Sequence, residues 1–301
     1  MLELRNPRIA IPVVLFAGLL WSFGPLVVRY MDNPQLVPWQ YIFSRGLTIF
    51  ILLNLYLFFE EGKNFYKNYY KIGLSGVIGG SGLGIAMITF IYSITNTSAA
   101  VTLLCLAAMP FFTALLAFLF LREKISLNVW ISIIIATVGI IIMALGNTGE
   151  KSLIGFVFGL TSSIGFSVFS VTLRWRKETP KFTTVAVAGL FCFVFAAIMI
   201  LIGDKTFFSS SYNGALFSLH GTLVCLGLIL YSIGSKAIPA AELTLLSLTE
   251  VIGGIFWVWL PLFGINEVPD TNTIIGGFFL FISLFYYSMV MRWNKRYIGL
   301  N

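Results

Sequence analysis

Few residues in this sequence set an ionisable side chain inside apolar surroundings, and Glu250, Glu242 and Arg45 head them. Glu250 stands about ten residues into an apolar stretch long enough to cross a bilayer, near its midplane. A charged carboxylate facing lipid there is costly, so Glu250 must face a protein interior. There it serves as a substrate or proton site, or as a hydrogen bond tying helices together. Glu242 lies two turns earlier and about 80° round the same helix. It either guards the cytoplasmic mouth of a path or pairs with Lys236 at the helix start. Arg45 also sits inside an apolar stretch. A guanidinium fork suits a carboxylate or phosphate, and its other reading is a cap or ion pair near the outer end. Arg29 ends the first apolar stretch and is expected to snorkel to the outer surface.

Around these charges stand aromatic and hydroxyl groups that suit an amphiphilic organic substrate. Trp21, Tyr92 and Trp257 supply candidate walls. Ser163, Ser167 and Ser170 recur at helical spacing, with Ser163 the candidate polar contact. In a chain that is 16% aromatic, packing and interfacial anchoring compete with each of these readings. Cys105, Cys192 and Cys225 match no metal or disulfide spacing, and His220 is the sole histidine. No Asp-rich pair, His-Glu-x-x-His or Ser-His-Asp set points to a lipid-modifying enzyme, and no filter-like loop points to a channel. Those two classes are the alternatives. The sequence calls for no cofactor, no metal and no nucleic acid.

The elements that must position these groups are membrane spans. The chain has 301 residues, 58% hydrophobic and 10% charged, against about 25% charged in soluble domains. Its mean hydropathy is +0.93. An all-α integral membrane protein follows, with ten spans at roughly 9–30, 38–59, 70–93, 98–121, 125–146, 152–173, 182–203, 214–235, 240–263 and 273–292. Arg5 and Arg8 precede an apolar run with no small-residue cleavage site, so that run reads as an uncleaved first span. With both termini in the cytoplasm, all the Lys and Arg except Arg29, Arg45, Lys151 and Lys205 fall on that side. That asymmetry is the positive-inside pattern.

The halves repeat. Gly18, Leu19, Ser22 and Gly24 recur as Gly159, Leu160, Ser163 and Gly165, an offset of 141, as do Ala99-Ala100 and Ala240-Ala241. Glu123 and Glu267 correspond at an offset of 144. Residues 1–148 and 149–301 then form two five-helix repeats. An odd span number inverts the second copy, the signature of alternating-access carriers.

These residues together resemble the EamA family of the drug/metabolite transporter superfamily. The resemblance rests on Gly18 to Pro25, Arg45, Ala99-Ala100 through Pro110 to Glu123, Pro239 to Glu242, Leu248-Thr249-Glu250, Trp257 to Leu260, Glu267 and Ile274 to Gly277. It implies a ten-helix carrier with a central cavity lined by spans one, three, four, six, eight and nine. The implied activity is secondary active transport, as exporter or exchanger, of a small organic metabolite such as an amino acid or related compound. The drive is protons or a counter-substrate, since no nucleotide-binding loop is present. The implied setting is the lipid bilayer of a bacterial inner (plasma) membrane, as monomer or homodimer.

Overall fold

Hydrocarbon offers a backbone amide no water, so a spanning segment must close its own hydrogen bonds. The structure, a computed structural model, describes residues 7–122, 126–146, 150–176, 178–235, 237–238 and 240–297. Among them are thirteen α-helices and no strand. In chain order these are α1 (Pro7–Arg29), α2 (Pro38–Glu61), α3 (Lys67–Lys71), α4 (Gly73–Asn96), α5 (Ala99–Leu106), α6 (Met109–Leu121) and α7 (Leu127–Gly146). Then follow α8 (Glu150–Trp175), α9 (Lys181–Ile202), α10 (Ser211–Gly234), α11 (Ala240–Ser247), α12 (Thr249–Trp259) and α13 (Thr271–Tyr297).

Eight stretches of the described residues are long and apolar enough to cross a membrane, against the ten expected. The last two expected spans appear as shorter apolar helices, Leu243–Trp259 and Thr271–Tyr287. The first of them is interrupted at Leu248, where α11 gives way to α12. The lipid-facing side of the bundle is apolar, with Ile134, Phe285 and Leu119 all well exposed. That is the pattern of a protein whose solvent is hydrocarbon.

Two apolar segments are broken, and the breaks have different causes. The first lies at Ala107–Ala108, between α5 and α6. Pro110 occupies the first turn of α6, where its missing N–H costs least. The second, at Leu248, contains no proline. There the Ser247 hydroxyl donates to the Thr244 carbonyl (2.8 Å) and the Thr249 hydroxyl to that of Leu246 (3.1 Å). Hydroxyls thus satisfy carbonyls around the irregular turn. The breaks sit 141 residues apart, 107 to 248, the offset already seen in the sequence.

The packing follows the same correspondence. Exchanging α1 for α8, α2 for α9, α4 for α10, α5–α6 for α11–α12 and α7 for α13 maps the main contacts onto one another. The α4–α8 contact becomes α10–α1, α4–α9 becomes α10–α2, and α6–α8 becomes α12–α1. The α2–α9 and α7–α13 contacts map onto themselves, and both are glycine seams. A Cβ on Gly189 would stand 3.0 Å from the Gly46 carbonyl oxygen, and one on Gly46 3.1 Å from that of Gly189. Gly139 and Gly276 face each other in the same reciprocal way across α7 and α13. Helices without a hydrophobic drive between them associate by close backbone approach at such small residues.

Gly189→Val is therefore expected to lower the unfolding free energy in detergent by about 1–3 kcal/mol, since backbone atoms block the new side chain. Gly214, also helical but with open space around it, provides the contrast. Gly214→Ala is expected to leave stability unchanged or raise it by up to about 1 kcal/mol. Equal effects of the two substitutions would remove the seam from the account.

Candidate functional site

The central cavity lies where α1, α2, α4, α8, α10 and the two broken segments meet. It measures about 60 Å³, and Trp21, Arg45, Ser162, Phe166, His220 and Glu250 are among its lining residues. Organic ligands occupy pockets of about 300–1,000 Å³, so this cavity is smaller than such pockets.

Glu250 reaches the cavity because the α11–α12 segment breaks one residue before α12 begins. The break places its carboxylate in the first turn of α12, where exposed N–H groups favour negative charge. Arg45 comes from the middle of α2 and is 5% exposed. Its Nη1 donates to the Met87 carbonyl (3.2 Å), and its guanidinium lies over the Phe90 ring, 5.6 Å from the centroid. Its Nε is buried with no partner. Arg45 and Glu250 share the cavity, yet no ion pair joins them among the described residues. Opposite charges thus line one small cavity with bonding capacity unspent.

The uncharged part of the wall is held rigidly. Trp21 Nε1 donates to the Val224 carbonyl (3.2 Å), and its ring packs against Phe166 and Tyr231. His220 Nδ1 is hydrogen-bonded to the Tyr41 hydroxyl, one turn before Arg45 on α2, and Tyr41 stacks on Phe217 at 4.8 Å. The Ser162 hydroxyl donates to the Ala86 carbonyl (2.8 Å).

Three expected wall residues lie elsewhere. Tyr92 does not line the cavity; its ring sits between Trp39 (5.2 Å) and Phe158 (5.3 Å). Trp257 also lies outside the lining, donating from Nε1 to the Ser22 hydroxyl (2.9 Å) and stacking on Phe23. Ser163 is buried in the helix packing with its hydroxyl unpartnered, while its neighbour Ser162 faces the cavity. One residue turns a helix by about 100°, so a choice between adjacent serines decides the face. The Glu242 side chain lies outside the described residues, as does Glu123.

The repeat offset would have found the residues that the sequence reading missed. Ser162 stands 141 positions after Trp21, and Met109 stands 141 before Glu250; all four line the cavity. Ala86 and Val224, and Phe90 and Leu228, correspond at 138 and line it too. The charge and the indole are thus the odd members of paired positions. His220 likewise occupies the position of Gly82 in the other half, 138 earlier.

A second polar group closes one end of the bundle. Arg29 does not snorkel to the surface. Its Nε donates to Glu267 Oε2 (2.6 Å), its Nη1 to the Ile94 carbonyl (2.8 Å) and its Nη2 to that of Thr97 (3.2 Å). Glu267 Oε1 accepts the Ala99 N–H at the start of α5 (2.6 Å). One carboxylate therefore joins the end of α1, the start of α5 and the loop after α12. Because it also caps a helix, the pair should exceed an isolated surface ion pair. A double-mutant cycle of Arg29→Met and Glu267→Gln, read from unfolding in detergent, is expected to give a coupling of about 1–3 kcal/mol. A coupling under about 0.5 kcal/mol would make it an ordinary surface pair.

Comparison with known proteins agrees with this architecture. Residues 8–145 match the EamA-like transporter family. An uncharacterized transporter of Helicobacter pylori strain J99 is 27% identical over 65% of this chain and 64% of its own length, so the chain spans just under two thirds of that relative. An uncharacterized transporter of Clostridium kluyveri is 26% identical over 74% of this chain and 73% of its own. The pseudopaline exporter CntI of Pseudomonas aeruginosa strain UCBPP-PA14 is 24% identical over 69% and 71%. A solved crystal structure at 15% identity shares the fold, with a TM-score of 0.64 over 95% of this chain and 99% of that one. Over residues 8–145 the chain is thus similar to the EamA-like transporter family.

Proposed function

We propose that the protein is a secondary active, alternating-access carrier that exports or exchanges a small organic metabolite, an amino acid or related zwitterion. The observation that carries this reading is one cavity lined by both Arg45 and Glu250, with no ion pair between them among the described residues. A zwitterion brings a carboxylate for the guanidinium fork and an ammonium for Glu250. Trp21, Phe166 and Phe90 supply the apolar wall that a side chain would lie against. Neutralising both charges at once removes the cost of holding each alone in a dry interior.

In this reading residues 1–148 and 149–301 are two inverted five-helix halves, and the chain crosses the inner membrane ten times with both termini cytoplasmic. The paired breaks, the self-matching glycine seams and the exchange of contacts between halves support it. The Arg29–Glu267 pair then lies on the outer face and holds that face shut in the form described. Rocking of the halves opens one side of the midplane cavity at a time. Export is favoured by the relative named as an exporter. Protons or a counter-substrate drive the cycle, with Glu250 the coupling group and Glu242 at the cytoplasmic mouth.

Purified protein in liposomes preloaded with one amino acid is expected to take up its radiolabelled form by counterflow. Glu250→Gln is expected to lower that rate at least about tenfold, equivalent to about 1.4 kcal/mol, and to flatten its pH dependence. The unfolding midpoint should stay within about 2 °C of wild type, well under the loss caused by a core cavity. Wild-type rate and pH profile in this variant would remove Glu250 from the mechanism. No counterflow of any amino acid by the folded wild type would overturn the substrate class.

A further inference from the structure

A second cavity, of about 300 Å³, lies at the opposite end of the bundle from the Arg29–Glu267 pair, between the end of α2, helix α3 and the start of α9. It is five times the size of the central one and differs in chemistry. Glu61, Lys71, Glu178 and Lys181 line it, so both signs of charge meet in one space. The α2–α3 side is fixed in place. Helix α2 stops at Gly62 (φ +65°), and Gly73 (φ +60°) turns the chain from α3 into α4. Between them Tyr69 donates its hydroxyl to Asn54 (2.8 Å), and Asn68 donates to the Glu61 carboxylate (2.5 Å).

Two independent features there call for a ligand. Helix α9, a 22-residue helix, begins at this cavity, and its N-cap residue, Pro180, gives its first turn no side-chain hydrogen bond. Such an end attracts anions. Thr183, in that first turn, lines the same cavity, and its fully buried hydroxyl has no hydrogen-bond partner. Buried hydroxyls are ordinarily hydrogen-bonded, and this one belongs to a residue that lines a charged pocket. Lys71 adds positive charge beside these groups, while Glu61 and Glu178 add acceptors that an anion alone would not use.

The surroundings fix the depth. Phe59 and Tyr70, 81% and 86% exposed, and the exposed Phe58 and Tyr66 cluster at the end of α2 and around α3, beside the pocket. Exposed aromatic side chains are enriched at the level of lipid head groups. We propose that this pocket binds phosphoethanolamine, a phosphate joined to a primary ammonium. The phosphate is received by the α9 N-terminus, the Thr183 hydroxyl and Lys71, and the ammonium by Glu61 and Glu178. The exposed rings beside the pocket make a phospholipid of the adjoining leaflet the natural bearer of that head group, and soluble phosphoethanolamine shares its chemistry.

The test is a thermal-unfolding titration of the delipidated full-length protein in detergent. The probes are dioleoyl phosphatidylethanolamine, dioleoyl phosphatidylglycerol, O-phosphoethanolamine and inorganic phosphate. Wild type is expected to be stabilised by phosphatidylethanolamine with an apparent Kd about tenfold below that for phosphatidylglycerol. Thr183→Val is expected to weaken phosphatidylethanolamine binding about fivefold, and Glu61→Gln to erase the preference between the two lipids while leaving phosphatidylglycerol binding intact. Unliganded midpoints close to wild type establish that both variants fold, and Lys71→Gln gives the same readout on an exposed side chain. Phosphatidylethanolamine binding about tenfold tighter than O-phosphoethanolamine assigns the site to lipid, and equal binding assigns it to the soluble compound. Equal binding of the two lipids by wild type overturns the proposal. So does inorganic phosphate binding as tightly as O-phosphoethanolamine, or unchanged lipid preference in Glu61→Gln.

Discussion

A guanidinium inside the hydrocarbon layer has to be solvated by protein, and the centre of this molecule is arranged around that requirement. Arg45 finds one carbonyl, one aromatic face and an unpartnered Nε. That is less than five N–H donors can use, and Arg45 lines the cavity with that capacity unspent. Glu250 meets a related requirement from the other side. Its segment breaks just ahead of it, and the fresh helix end provides the positive field that a carboxylate needs. Had the two side chains met, they would have formed a closed structural pair of the Arg29–Glu267 kind. Held apart, they leave a polar gap in an otherwise apolar bundle.

The two ion arrangements make an instructive contrast. Arg29 and Glu267 are saturated: two carbonyls, an amide and each other account for their bonding. Such a group stabilises one arrangement of helices and holds it until every bond is exchanged together. Arg45 is not saturated: its Nε has no partner, and no ion pair joins it to Glu250 among the described residues. The two groups lie apart: Arg29 ends α1 and Glu267 follows α12, whereas Arg45 comes from α2 and Glu250 from the first turn of α12.

Paired elements with unequal residues explain how a pseudo-symmetric bundle can hold a directional site. The glycine seams at Gly46–Gly189 and Gly139–Gly276 are nearly indifferent to which half is which. The cavity is not: Glu250 stands opposite Met109 in the correspondence, and Trp21 opposite Ser162. The seams are alike in the two halves, and the cavity walls are not.

Much of this was legible in the amino-acid sequence, because the relevant physics is local. A bilayer penalises charge wherever it falls, so Glu250 and Arg45 stood out as soon as the apolar runs were seen. The offset of 141 was also readable, and it locates both helix breaks and the cavity partners Ser162 and Met109. What the sequence could not determine was facing and pairing. Tyr92 and Trp257 are aromatic on any face of a helix, and only packing turned them toward Phe158 and Phe23. Ser162 and Ser163 differ by one residue and about 100°, and only the contact with α4 decides which hydroxyl reaches the cavity. Arg29 and Glu267 are 238 positions apart. Their meeting depends on the loop after α12 folding back so that the Glu267 amide reaches the Val258 carbonyl (2.9 Å). Solvent preference acts on each segment alone and is written along the chain, whereas partner choice is a property of the assembled helices.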